Sequence, residues 1–366
     1  MDTFKLGIKT KLLSQFEMRR EGWSVNGNKY FKHVRDKETG TVVAVLTASN
    51  YGDSKSYLSV TCSAPKLIYG TNVEMLIPDD LPCVFDTVND IVAGNTRIEF
   101  DANTAKVMSI DFCHNWKLAS EAEVSRYLTE LQTRHVPYAN YREVSSEEYG
   151  VPTVYWRNGS VVRLAYAKHI ETLRLVKDGK LGTRYLSESY GMLRWEHRKK
   201  TAKKVKELAD VFGCSQIADS FLGHVFEMNQ QTLLDDMELL GLNKTIEITG
   251  KNERLKRLKE YCGDNEVKYM KLSGLLHNCD EKGGVKNVVS EGLMKDKTLR
   301  KWIDEIRAAG ISLTEPTKGR TLPALKAPER ERETDDFSFN KKELFSTGRI
   351  LPIPSSELVT NIEGVF

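Results

Sequence analysis

The sequence predicts an α+β fold: an antiparallel-sheet domain, then a smaller helical domain, then a flexible tail. Three observations carry this. Up to about residue 200, apolar residues recur mainly at period two, in short runs separated by turn formers. From Thr201 to about Gly310 the spacing becomes helical, with breaks at Gly213, Gly241, Gly263 and Gly283-Gly284. From Thr314 the chain is polar and Pro-rich, and Glu329-Arg-Glu-Arg-Glu-Thr-Asp-Asp336 has the composition of a linker. A chain of 366 residues is too long for one small core, so the expected division is 1–200, 201–313 and 314–366.

The elements follow in order. Phe4-Lys-Leu-Gly-Ile8 alternates and reads as a first strand. Tyr30-Phe-Lys-His-Val34 and 41–47 read as a hairpin across Asp36-Lys-Glu-Thr-Gly40, and 57–62 as a further strand. Residues 86–93 suit a short helix. Two strands are expected at 96–100 and 106–112, joined by Asp101-Ala-Asn-Thr104. Alternation in the second would place Met108, Ile110 and Phe112 on one face and Ser109, Asp111 and Cys113 on the other. Ser120 and Glu123 form a capping-box pair opening a helix to about Thr133. Asn158-Gly159 between 153–156 and 161–165 predicts a hairpin with a primed turn. A helix should follow from near Tyr166 to about Val176, and then a strand over 193–198 with Arg194, Glu196 and Arg198 on one face.

Composition narrows the function. Apolar content of 40% and charged content of 29% describe an ordinary soluble protein. No apolar run approaches the length of a spanning helix, and the N-terminus lacks a signal-peptide plan, so a cytoplasmic location is expected. Six scattered cysteines without a C-x-x-C pair argue against structural zinc and against a disulfide framework. There is no P-loop, no G-x-G-x-x-G and no G-x-S-x-G. The net charge of +3 is modest, but Arg194, Arg198, Lys199, Lys200, Lys203, Lys204 and Lys206 crowd one stretch. That stretch suits phosphate contacts; with Glu207 and Asp210 beside it, it also suits a solvated helix face. Three blocks at 272–276, 285–290 and 297–310, the last carrying Lys297, Arg300, Lys301 and Arg307, suggest a helix-turn-helix-like element that binds DNA, or an ordinary packed bundle.

The densest chemistry lies in Val161-Val-Arg-Leu-Ala-Tyr-Ala-Lys-His-Ile-Glu171. Tyr166 offers a nucleophile, Lys168 a cation for a phosphate, His169 an acid/base or metal group, and Glu171 a carboxylate. A tyrosine hydroxyl titrates near pH 10 and needs activation, by a divalent cation or a positive side chain near the phosphate. Asp111 and Glu196 sit in otherwise apolar or Arg-lined strands and are the first candidates for ligands of Mg2+ or Mn2+, with Glu171 and His114 behind them. The alternatives are a packed tyrosine capping its strand and a Glu196 salt bridge to Arg194 or Arg198.

The order of these segments resembles the replication initiators of filamentous phages, the gene II/X family of rolling-circle nickases grouped with or near the HUH endonucleases. The resemblance spans roughly 1–312. It rests on Ser63-Ala-Pro-Lys-Leu-Ile-Tyr-Gly-Thr-Asn-Val73, on Ser109-Ile-Asp111 with the Ser120 helix, on 153–171, and on Leu193-Arg-Trp-Glu-His-Arg198. Three departures stand out: Ser109 replaces an arginine, no His-hydrophobic-His pair is present, and Lys168 follows the tyrosine by two positions rather than three. The resemblance implies an HUH-like nickase domain and a tyrosine, here Tyr166, that joins covalently to DNA. It also implies origin DNA as substrate, a host helicase and replication polymerase as partners, and a bacterial cytoplasm as the setting; a homodimer on DNA is a further expectation. The competing readings are a non-catalytic DNA-binding regulator and a metal-dependent nuclease that uses water.

Overall fold

A computed structural model describes residues 1–10, 15–36, 40–49, 56–132, 134, 136–145, 152–247, 251–282, 288, 296–309, 311, 313, 321–326 and 350–352. The strands are β1 (Thr3–Lys9), β2 (Ser24–Asn26), β3 (Lys29–Asp36), β4 (Val42–Ser49), β5 (Tyr57–Ser63), β6 (Lys106–Lys117), β7 (Asn140–Ser145), β8 (Pro152–Arg157), β9 (Val161–Ala167) and β10 (Met192–Lys199). They form one sheet in the order β3-β4-β5-β1-β6-β10-β9-β8-β7, with β2 beside β3, and each pairing is antiparallel. The helices are α1 (Gln15–Arg20), α2 (Ala64–Tyr69), α3 (Leu81–Asn95), α4 (Glu121–Gln132), α5 (Lys168–Lys177), α6 (Arg184–Ser189), α7 (Ala202–Val211), α8 (Ala218–Leu222) and α9 (Val225–Leu240). The α+β architecture is as expected. No helix among the described residues is long and apolar enough to cross a membrane.

Register fixes which side chains share a face. Phe4 opposes Cys62 and Ile110, Phe112 opposes His197, and Trp195 opposes Ala165. These residues lie on the face that the helices cover. Val205 and Ala209 of α7, and Val225 and Met228 of α9, join Phe4, Leu6, Ile110 and Phe112 in one core cluster. Leu233, Met237 and Leu240, farther along α9, join Trp116, Trp156, Leu193 and Trp195 in a second. One helix thus ties both halves of the sheet together. The first unit's core therefore runs well past residue 200, to at least Ile246.

A third cluster is built by α10 (Lys251–Cys262), α11 (Glu266–Lys282) and α12 (Asp296–Ala308), through Leu258, Leu275, Leu276, Leu299, Ile303 and Ile306. The predicted block at 272–276 is part of α11, a continuous 17-residue helix, so it is not a short element of a helix-turn-helix. Of the second block only residue 288 is described. The tail is not all linker. Thr321–Leu322 pairs with Ile246–Glu247, Leu322 and Leu325 enter the second core cluster, and Trp116 Nε1 donates to the Lys326 carbonyl at 2.8 Å. Ile350–Pro352 pairs with the outer edge of β3.

Three local expectations fail for physical reasons. Residues 96–100 do not form a strand: the Ile98 amide is taken by the Thr96 hydroxyl at 3.1 Å, and Asn89 Oδ1 takes the Ala102 amide at 2.8 Å. In β6 a register shift lets Val107, not Met108, share the core with Ile110 and Phe112. Met108 instead lies against Gly7, where a Cβ would sit 2.3 Å from its sulfur. The 158–160 turn is not of the primed type, since Gly159 lacks a positive φ. Asn158 organises it as an Asx turn, its Oδ1 accepting from the Ser160 and Val161 amides at 2.9 and 2.8 Å. The Ser120 cap is present: its hydroxyl accepts from the Glu123 amide at 3.3 Å.

Candidate active site

The site is built on the face of the sheet that the helices leave open. Tyr166 stands opposite Arg194, Leu164 opposite Glu196, and Val162 opposite Arg198. On the other flank of β10, Asn115, Cys113 and Asp111 oppose the same three residues. Cross-strand partners point to one side, so Tyr166, Arg194, Glu196, Arg198, Asp111 and Asn115 converge. Chain order explains little of this; strand pairing does the assembly.

Glu196 is the hub. It is 2% exposed. Its Oε1 accepts from the Tyr166 hydroxyl at 2.8 Å and from Arg194 Nε at 2.9 Å, and its Oε2 accepts from Arg198 Nη2 at 2.8 Å. Arg194 is fully buried. It reaches the Asn72 carbonyl at 3.0 Å and Asn115 Oδ1 at 3.1 Å. Its Nη2 lies 2.9 Å from Asp2 Oδ2, an ion pair without hydrogen-bond alignment. Asp2 also accepts from the Ser63 hydroxyl at 2.9 Å. Burial would raise the Asp2 carboxyl, but Arg194, Lys66, Lys168 and the Ser63 hydrogen bond together hold the group below the usual carboxylate range.

Lys168 does not face an open phosphate position. It is 1% exposed and donates to Asn72 Oδ1 and to Glu171 Oε2, each at 2.6 Å. Lysine and arginine thus hold one residue, Asn72, from two sides, and fix the loop after α2 over the sheet. Burial pulls the Lys168 ammonium down, with Glu171 opposing; Glu171, despite burial, is held at about 2 by Lys168. His169 lies beside this cluster, with Nδ1 3.2 Å from Ser189 Oγ and its ring edge-on to Tyr190 at 5.6 Å.

The accessible part of the site is Tyr166, Arg198 and Asp111. Arg198 and Asp111 side chains keep 26% and 15% of their surface, with Arg198 Nε 3.4 Å from Asp111 Oδ2. Burial pushes the Asp111 carboxyl up to about 8, and this outweighs the pull of Arg198. Burial also pushes the Tyr166 phenol well above 10, reinforced by Glu171 and Glu196. The resting tyrosine is therefore neutral and hydrogen-bonded to a carboxyl group that also accepts from two guanidiniums.

Asp111 and Glu196 share the site, but the expected metal ligands do not form a coordinating set. Among the described residues no group of three or more His, Cys, Asp or Glu side chains is placed to hold a metal ion. The Glu196 oxygens are occupied by Tyr166 and the two arginines, and Glu171 is committed to Lys168. His114 sits at the register of Trp195, on the helix-covered face, edge-on to Trp116 at 4.9 Å; burial pulls it down to about 4. The donors present do not fit a resident divalent ion, so no chemical step is assigned to one.

The basic stretch divides among different settings. Arg194 is enclosed and Arg198 borders the tyrosine. Lys199 shares the register of Ile110 on the helix-covered face. Lys200 and Lys203 are exposed, Lys204 pairs with Glu207 at 2.5 Å, and Lys206 pairs with Asp210 at 3.2 Å. The chain's tyrosine, glutamate and arginines were legible from their strands. Asp2, Asn72 and Asn115 were not singled out as site residues, although Asn72 lies inside the Gly70-Thr-Asn-Val73 run.

No curated protein and no solved structure matches the chain. The sequence profile of a phage family, described as the N-terminal part of the replication-associated gene II protein, matches residues 16–212. That span carries Tyr166, Glu196 and both arginines and exceeds half of the chain; the protein belongs to that family.

Proposed function

We propose that the protein initiates rolling-circle replication: it nicks one strand of a supercoiled phage origin through a 5′-phosphotyrosine at Tyr166, then cleaves and rejoins the displaced strand. The observation that carries this reading is the Tyr166 hydroxyl held 2.8 Å from Glu196, between Arg194 and Arg198 on an open sheet face. In the transfer, a Tyr166 Oη–P bond forms and the P–O3′ bond breaks. The phenolic proton leaves along its hydrogen bond to Glu196 and ends on the 3′ oxygen, so charge and atoms balance. Arg198, the partly exposed cation beside Tyr166, would meet the phosphate. Arg194 Nε, 2.9 Å from Glu196 Oε1, holds that carboxyl in place. The phosphotyrosine conserves the ester bond, so rejoining needs no ATP; the free 3′ end is open to a polymerase. Host helicase and polymerase, and a second copy on the origin, are the partners this chemistry calls for. Mg2+ or Mn2+, expected from the carboxylates Asp111, Glu196 and Glu171, is varied in the test.

The test is nicking of supercoiled DNA carrying the intergenic region of the parent replicon, with Mg2+, with Mn2+ and with chelator, beside Tyr166→Phe. The proposal expects nicked circles from the wild type and none from the variant. Scission that persists in Tyr166→Phe would instead mean a nuclease that uses water. Binding without scission of a confirmed origin would mean a regulator.

A further inference from the structure

The open face continues beyond the tyrosine, across β6, β1, β5, β4 and β3, and its chemistry is one-sided. Three cross-strand rows can be read from the register. The row nearest the site is Ser109, Lys5, Thr61, Val45 and His33. Next come Gly7, Ser59, Thr47 and Phe31, and then Lys9, Tyr57, Ser49 and Lys29. None of these residues is acidic. Three are lysines, one is a histidine and two are aromatic; between them stand glycine, hydroxyl side chains and one valine.

The same strands carry a different composition on their other side. There Phe4, Leu6, Leu46, Leu58 and Val60 enter the helix-covered core. The open face is therefore not a second core awaiting cover. Its centre is small and sunk between its neighbours, with Gly7, Val45 and Ser59 buried, and its margins hold the larger groups: Tyr57 is 40% exposed, Lys9 and Lys29 are exposed, and Phe31, His33 and Lys5 are half-buried. At the centre Gly7 leaves room for Met108 to lie flat across the sheet. The surface also joins the site directly. Ser109 and Asp111 are two positions apart on one face of β6, about 7 Å along the strand. Five strands at about 4.8 Å spacing extend the surface about 19 Å from there.

Lysines near a backbone path, aromatic rings to stack on and an absence of acids make the chemistry that holds a single nucleic acid strand without reading its sequence. A duplex presents its bases stacked inward, so aromatic rings on a flat sheet have nothing to stack on; a separated strand offers both bases and phosphates. We propose that this sheet face is the track on which the separated DNA strand lies as it enters or leaves Tyr166. The proposal rests on the nicking reading for its direction, though binding of single strands is testable alone.

The experiment uses the full chain carrying Tyr166→Phe and a short oligothymidylate substituted with 5-iododeoxyuridine. Photocrosslinked peptides are mapped by mass spectrometry. In parallel, anisotropy measures single-strand and duplex affinity for Phe31→Ala and for Lys5→Ala/Lys29→Ala, with folding checked by circular dichroism. Expected are crosslinks in the peptides containing Phe31 or Tyr57, and single-strand affinity about tenfold weaker in Phe31→Ala. The double lysine variant should also lower the slope of log affinity against log salt by about 1. Duplex affinity should stay unchanged. Crosslinks confined to other peptides, unchanged single-strand affinity in folded variants, or an equal loss for duplex would each overturn the proposal. A change in oligomeric state with single-strand affinity intact would mean that the face meets a second copy. Should the wild type form no adduct while the variants still lose single-strand binding, the nicking reading fails and the track stands.

Discussion

Two carboxyl oxygens of Glu196 hold a phenol and two guanidiniums, and this explains how so many charges survive out of water. Each of Arg194, Glu196 and Asp2 is compensated by the next. Removing the hub strands the fully buried Arg194 beside Asp2 alone, so Glu196→Ala should cost about 3–5 kcal/mol of stability, measured by urea unfolding. A loss below about 1 kcal/mol would show that the cluster is hydrated and looser than its distances indicate. Asp111 makes a second prediction, with the opposite character. Its carboxyl is raised from 3.8 to about 8 by burial, so the fold favours the neutral form. The stability it contributes is complete below about pH 4 and is lost as pH rises towards 8. Asp111→Asn should remove that dependence and gain on the order of 1–3 kcal/mol over the wild type at pH 8. Parallel pH profiles for the two proteins would contradict it. Tyr166, Lys168 and Glu171 were legible because they are neighbours in sequence, whereas Lys168 meets Asn72 across 96 positions and Arg194 meets it across 122. No spacing rule reaches that far, and the same distance hid the commitment of Lys168 to the loop.

The elements were read well where one face is buried, since alternation then leaves a period-two signature: β1, β3, β4, β5, β8, β9 and β10 all appear near their predicted places. The misread segments are those where side chains compete with the ladder. Thr96 and Asn89 take the backbone amides that a strand at 96–100 would need, and one extra residue in β6 exchanges Met108 for Val107 in the core. Neither event changes composition, so neither shows in a pattern of apolar residues. Helix α9 supplies the prediction at this scale. Its Asp236 accepts from Arg163 Nε at 2.6 Å and Trp195 Nε1 at 3.1 Å and pairs with His197 Nδ1 at 2.7 Å, all on the reverse side of the strands that carry Tyr166 and Glu196. Burial pulls His197 down, while Asp236 opposes that and is itself held low by His197 and Arg163 against its own burial. Asp236→Ala leaves a half-buried arginine without its anion and should cost about 3–5 kcal/mol. Thermal melts that differ by less than about 2 °C would contradict the claim that α9 locks the strands carrying Tyr166 and Glu196.

Across the whole molecule, the sequence boundary at 200 separates a change of periodicity, not a change of core. Val205, Ala209, Val225, Met228, Leu233, Met237 and Leu240 all lie beyond it and cover the sheet. The six larger side chains among them, at about 1.5–3 kcal/mol each, sum to about 9–18 kcal/mol, as large as the whole margin of a typical domain. A fragment of residues 1–200 should therefore show no cooperative thermal transition, and a sharp one would contradict this packing. The third cluster, from Leu258 to Leu313, is built from its own helices. The molecule thus presents a helix-backed sheet whose open face carries the tyrosine, Arg198 and an acid-free surface beside them. The central claim is that Tyr166 becomes the covalent partner of DNA. It is tested most directly by digesting the protein after reaction with origin DNA and mapping the nucleotide-bearing peptide by mass spectrometry. A 5′-phosphoryl adduct on Tyr166, lost in Tyr166→Phe, is the predicted result. An adduct on another tyrosine, or nicked DNA with no adduct on the protein, would contradict it.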